Sequence, residues 1–120
     1  MTEFLDKDDL VKIIEIGMAG AMKGRIVEAR RLFEGLCAYD QGLVPAKTGL
    51  ALCHLFTDEF EQAEEILDGL PQDDDVLGVR VLAAVLKKDS AQAKSLMSEI
   101  KDRSSSGYKL ASDTIAFAER

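Results

Sequence analysis

The sequence predicts an all-α fold in which three helix pairs stack into an α-solenoid and a seventh helix caps the last pair. Three observations carry this expectation. First, a nine-residue stretch recurs: Glu28-Ala29-Arg30-Arg31-Leu32-Phe33-Glu34-Gly35-Leu36, then Gln62-Ala63-Glu64-Glu65-Ile66-Leu67-Asp68-Gly69-Leu70 after 34 residues, then Gln92-Ala93-Lys94-Ser95-Leu96-Met97-Ser98-Glu99-Ile100 after another 30. Each copy keeps an alanine, two apolar residues three and four positions on, and another apolar residue seven on. That is one apolar stripe on a helix, with an alanine where a neighbouring helix can approach. Second, a further helical pattern precedes each copy, and a helix pair of this size cannot bury its own apolar face without stacking on neighbours. Third, 120 residues, 47% apolar, with two prolines and no tryptophan, fit one helical domain over residues 1–120.

Taken in order, residues 1 to 9 read as a polar lead-in, and Asp8 or Asp9 is placed to cap the first helix. Leu10, Ile13, Ile14, Gly17, Met18 and Ala21 recur at threes and fours and make that helix. Gly24 in Lys23-Gly24-Arg25 suits a helix end that needs a positive φ. The second helix runs to about Tyr39, and Asp40-Gln41-Gly42 turns out of the pair, which spans 8–41. Pro45 suits the first turn of the third helix, since its missing N–H costs little there. Asp58 occupies the slot of Gly24 in the next tight turn, and the second pair spans 44–71. Asp75 is expected to cap the third pair, 75–102, and Ser90 its second helix. Arg103-Ser104-Ser105-Ser106-Gly107 reads as a flexible break before an amphipathic capping helix, 107–119, built on Tyr108, Ala111, Ile115 and Ala118. Solenoids need such a cap over the final repeat.

The formal net charge is −7 and the pI about 4.7. Clustered Lys and Arg, which release counterions from nucleic acid and attract anionic lipid, are missing, so neither is an expected partner. The longest apolar run, Val81 to Leu86, is too short for membrane insertion, and the acidic start is unlike a signal peptide. The expected location is the cytoplasm, with Cys37 and Cys53 as buried reduced thiols. No cofactor, metal or catalytic site is expected. His54, the single histidine, adjoins Cys53 on one helix, where neighbours point about 100° apart and cannot form a nucleophile–base pair. Asp73-Asp74-Asp75 lacks the other ligands and the glycine of a calcium loop and reads as a capped, solvated turn.

Residues 10 to 102 resemble the tetratricopeptide repeat. The first pair supplies Gly17, Gly24, Ala29, Phe33 and Leu36 at consensus spacing, the second Leu50, Ala51, Ala63, Leu67 and Leu70, the third Ala84, Ala93, Met97 and Ile100. The consensus tryptophan is replaced by Ile13, Lys47 and Leu77. The resemblance implies a right-handed solenoid. Lys23-Gly24-Arg25 through Ala29 to Asp40, with Leu32-Phe33 and Leu36-Cys37, and then Gly49-Leu50-Ala51, also resemble the tetratricopeptide chaperones of bacterial type III secretion. Length favours the needle-subunit chaperones over the longer translocator chaperones. This resemblance implies an export substrate, a needle subunit or a translocator, as partner, and a small helical co-chaperone on the first repeat.

In that repeat the first helix of each pair lines the concave face. The consensus places Val11, Ile14, Met18 and Met22, then Leu52, Leu55 and Phe56, then Leu82, Val85 and Leu86 along it. Lys12 and Lys47 fall at other slots, so a carboxylate clamp is not expected. An apolar line of this kind suits an amphipathic helix, and methionines let it adapt. Unoccupied, such a strip is an aggregation liability and can pair with a second copy of the chain. The expected function is therefore that of a chaperone that hides a helix of its substrate, the alternative being a general protein-interaction scaffold.

Overall fold

The computed structural model describes residues 5–119. They form seven helices: α1 (Lys7–Met22), α2 (Ile26–Tyr39), α3 (Val44–Phe56), α4 (Phe60–Asp68), α5 (Asp74–Leu86), α6 (Ser90–Glu99) and α7 (Ser106–Ala118). No strand occurs among the described residues. The architecture is an α-solenoid of helix pairs, α1–α2, α3–α4 and α5–α6, closed by α7. Residues 1–4 of the expected lead-in lie outside the described residues.

The same turn joins the two helices of every pair. Gly24, Asp58 and Lys88 have φ of +88°, +60° and +62°. Their N–H groups donate to Ala21, Leu55 and Val85, and the next N–H groups, of Arg25, Glu59 and Asp89, reach back to Gly20, His54 and Ala84 at 2.8, 2.8 and 2.9 Å. These are paired 5→2 and 6→1 bonds, which satisfy helix-end carbonyls around one left-handed residue. The three turns are spaced as the alanines are. Glycine takes this conformation freely, aspartate at some cost and lysine at more.

The repeated stripe builds the core. Ala29, Ala63 and Ala93 are buried, as are Leu36, Leu70 and Ile100 seven residues on. Phe33 and Leu67 are fully buried; Met97, the third member, is half-buried against the second of two apolar clusters. The larger cluster joins α1 to α5, and the smaller joins α5, α6 and α7. Helix α5 belongs to both. Val76, Val79 and Ala83 face the first, while Leu77, Val81 and Ala84 face the second. A helix so enclosed reads as apolar all round. At the junction of the first two pairs the Phe33 ring lies against Gly17 and Gly49. A Cβ on Gly17 would stand 2.7 Å from the ring, and one on Gly49 would be closer still.

The helix caps differ in place from the sequence expectation. Asp6, not Asp8 or Asp9, caps α1, accepting from the Asp9 N–H at 2.8 Å, while the Asp9 carboxylate accepts from the Asp6 N–H. Asp73, not Asp75, caps α5 through the Val76 N–H. Asp89, not Ser90, caps α6 through the Gln92 N–H. In each case the helix begins one to three residues early, because the first acid that can face the free N–H groups takes the cap.

That leaves Asp74 and Asp75 free for another task. The Asp74 carboxylate accepts from Lys101 and Asp102 N–H groups, both at 3.0 Å, and Asp75 accepts from the Gly107 N–H at 3.0 Å. Asp102 in turn accepts from the Ser104 N–H and hydroxyl, which hold its carboxyl below the usual carboxylate range. Ser105 caps α7 through the Tyr108 N–H. Residues 101–107 are thus a fastened turn, where the serine-rich composition suggested a flexible break. Gly107 lies against the Asp74 backbone, and a Cβ on Gly78 would stand 2.5 Å from the Gly107 carbonyl oxygen. Helix α7 therefore packs chiefly on α5 and only lightly on α6.

Candidate functional site

Fastening α7 to the start of α5 creates one wall of a groove. Helix α1 forms the opposite wall with Val11, Ile14, Met18 and Met22. The first turns of α3 supply Val44, Pro45 and Thr48 to the floor, α5 supplies Val79, and α7 closes the far side with Ser106, Gly107 and Leu110. The hollow measures about 460 Å³. Val11 and Met22 are 45% and 55% exposed at its edge, and Ile14 and Met18 are half-buried. The Thr48 hydroxyl donates to the Val44 carbonyl oxygen at 2.9 Å and so adds no free donor to the floor. The charged groups at the groove are Glu15, Asp73 and Asp75; among the described residues no Lys or Arg lines it.

The four α1 residues expected on the concave face all line this groove. The six from later helices do not. Leu52, Leu55 and Leu82 are 0%, 1% and 8% exposed and belong to the first core. They cannot touch a partner in the folded chain. Phe56 is half-buried against the same core. Val85 packs on the second core and borders a separate hollow with Ala93 and Ile115. Leu86 is 41% exposed, away from the groove.

The repeat offset explains the difference. Moving Val11 and Ile14 forward by 34 residues gives Pro45 and Thr48, and moving Val11 by 64 gives Asp75. All three line the groove. Moving Met18 by the same intervals gives Leu52 and Leu82, which lie under the neighbouring helices. The open face therefore runs over the N-terminal halves of α3 and α5. Its residues there are small or polar, and a search for large apolar side chains passes over them.

A second polar cluster ties the first pair to the second. Glu59 Oε1 accepts from the Thr57 hydroxyl at 2.8 Å and from Arg30 Nη1 at 3.0 Å, and it lies 3.0 Å from His54 Nδ1. The Nδ1–H tautomer satisfies that contact, an assignment made from the hydrogen-bond network. The Thr57 hydroxyl, His54 and the Arg30 guanidinium hold the Glu59 carboxyl below its ordinary range. Every member is engaged in joining α2 to the α3–α4 turn, and none faces the groove. Cys37 is half-buried and Cys53 buried, and desolvation raises both thiols above their usual range. Among the described residues no three His, Cys, Asp or Glu side chains are grouped to share a metal ion. No helix among them is long and apolar enough to cross a membrane.

No curated protein matches the sequence. A family model described as "Tetratricopeptide repeat" matches residues 21–77, just under half of the chain. The matched stretch runs from the end of α1 to the start of α5, across the Phe33 junction and the first two left-handed turns. Tetratricopeptide domains are in general non-catalytic modules that bind other proteins. Residues 21–77 are therefore similar to tetratricopeptide-repeat sequence, and the described residues form an α-solenoid of helix pairs.

Proposed function

We propose that the protein is a protein-interaction scaffold that holds an amphipathic helix of its partner in the groove between α1, α3, α5 and α7. The observation that carries this reading is the groove itself: an apolar hollow of about 460 Å³ whose edge exposes Val11 and Met22. Exposed apolar surface gathered in a concavity is where proteins bind one another, and a helix fits a groove of this form through side chains at i, i+3, i+4 and i+7. Met18 and Met22 are unbranched and let the wall adapt to its guest. Val11→Glu and Met18→Glu should each abolish partner binding with helicity unchanged, measured by pull-down and circular dichroism. Retained binding in both variants would remove the groove from the function.

Within this reading we infer a finer one, a cytoplasmic bacterial chaperone for a type III secretion substrate. It rests on the resemblance across Lys23 to Ala51, with a needle subunit or a translocator as the substrate. The chaperone would cover a substrate helix that otherwise polymerises, and a small helical co-chaperone would sit on the first repeat. Co-expression with a needle subunit and, separately, with a translocator tests it. A soluble complex lost on Met18→Glu supports the chaperone reading. Insoluble substrate in both cases eliminates it and leaves the general scaffold.

A further inference from the structure

The groove has a charge as well as a shape. Glu15 lies on its α1 wall, Asp73 and Asp75 stand at the start of α5, and no Lys or Arg among the described residues lines it. The helix starts of α3, α5 and α7 also face the hollow, and each carries roughly half a positive charge. Three carboxylates against three half-charges leave a net of about −1.5 at the rim. Asp73 and Asp75 accept backbone N–H bonds, which fix their carboxylates in place without cancelling the remaining charge. Between these carboxylates the hollow is lined by apolar side chains, among them Ile14, Met18 and Val79. Val11 to Met22 spans roughly 17 Å of α1, the length of about three helical turns.

We propose that the occupant of this groove is a helix whose apolar stripe is flanked by Lys or Arg. This rests on the scaffold reading above and specifies the chemistry of its partner. The apolar stripe fills the floor, and the flanking cations meet Glu15 on one wall and the Asp73–Asp75 edge on the other. Such complementarity selects among helices that are equally apolar, and rejects those with acidic flanks through like-charge contact. A second copy of this chain is a poorer occupant, because it brings a formal charge of −7 and its exposed α1 face carries Glu15 beside Val11 and Met22.

The test uses the full-length protein and two synthetic helical peptides of about four turns. Both carry Leu at i, i+3, i+4 and i+7; one is flanked by Lys, the other by Glu. Fluorescence anisotropy should give binding of the Lys peptide about tenfold tighter than that of the Glu peptide at low salt, with the gap closing near 0.5 M salt. Glu15→Lys, at an exposed residue with no hydrogen bond to the fold, should shrink or reverse the preference. Equal binding of both peptides, lost for both on Met18→Glu, overturns the charge inference and leaves the groove reading intact. Binding of neither peptide, or binding that survives Met18→Glu, overturns both. Concentration-dependent dimers in sedimentation that Met18→Glu dissolves would put a second copy in the groove and also overturn the proposal.

Discussion

Gly49→Ala and Gly35→Ala are the same chemical change in two helix interiors, and the structure predicts opposite signs. Gly35 lies on the exposed side of α2, and a Cβ added there would meet nothing within 4 Å. Alanine there gains helix propensity, worth about 0.8–1 kcal/mol. Gly49 faces the Phe33 ring, and a Cβ would overlap three ring atoms well inside van der Waals distance. The ring is fully buried and lies against Gly17 as well, so it has little room in which to yield. Overpacking of this kind costs typically 1–3 kcal/mol, and an overlap with three atoms of an immobile ring belongs at the upper end. After the propensity gain of about 1 kcal/mol is subtracted, the net loss is about 2 kcal/mol, roughly thirtyfold in the folded-to-unfolded ratio. Urea unfolding read by circular dichroism should give a lower midpoint for Gly49→Ala at unchanged slope, and a higher one for Gly35→Ala. Phe33→Leu should then couple to Gly49→Ala, the double variant being more stable than the two single losses predict, by about 0.5–3 kcal/mol. A Gly49→Ala protein as stable as Gly35→Ala, or additive behaviour with Phe33→Leu, would refute the placement of the ring between the two helices.

Other predictions follow from the repeated turn, from α7 and from the Glu59 cluster. Lys88→Gly should stabilise the fold by about 0.5–1 kcal/mol and Asp58→Gly by less, while Gly24→Ala should cost about 1 kcal/mol, all read as shifts in the urea midpoint. Gly107→Ala places a methyl group on the Asp74 backbone. Its effect should appear as faster amide exchange in α7 and in the facing turn of α5, with α2, α3 and α4 still protected. Glu59→Gln should flatten the acid side of the stability–pH curve. The folded-state carboxyl titrates below its ordinary range, so its contribution is present above the unfolded value near pH 4.5 and is lost as pH falls through the folded one. A wild-type acid limb unchanged by the substitution would assign the acid sensitivity to other carboxylates.

Periodicity made the stack legible and hid the groove, for a single physical reason. The stripe of Ala29, Phe33 and Leu36 with its two repeats, and the turn at Gly24 with its counterpart Asp58, could be read because a residue that packs in every repeat must recur in every repeat. Lys88 completes the turn series, and the period alone could have identified it despite its poor suitability for a positive φ. The groove obeys the opposite rule. It passes over Val11, then Pro45, then Asp75, which share a slot and no chemistry. Helix α1 has no helix before it among the described residues, so its large apolar residues remain on the edge. The matching large residues of α3 and α5, Leu52 and Leu82, have neighbours on both sides and become core. Large apolar residues at these slots therefore line the groove on α1, whereas Leu52, Leu55 and Leu82 on the later helices are core. The far wall was hidden further, since Asp74 and Asp75 bring α7 into place through backbone N–H groups of residues 101–107, and an N–H leaves no mark on a sequence. What marks it instead is the close approach: Gly78 and Gly107 are the two positions where a side chain would hold α5 and α7 apart, so the shape of the groove depends on two glycines whose own role is to let the helices meet.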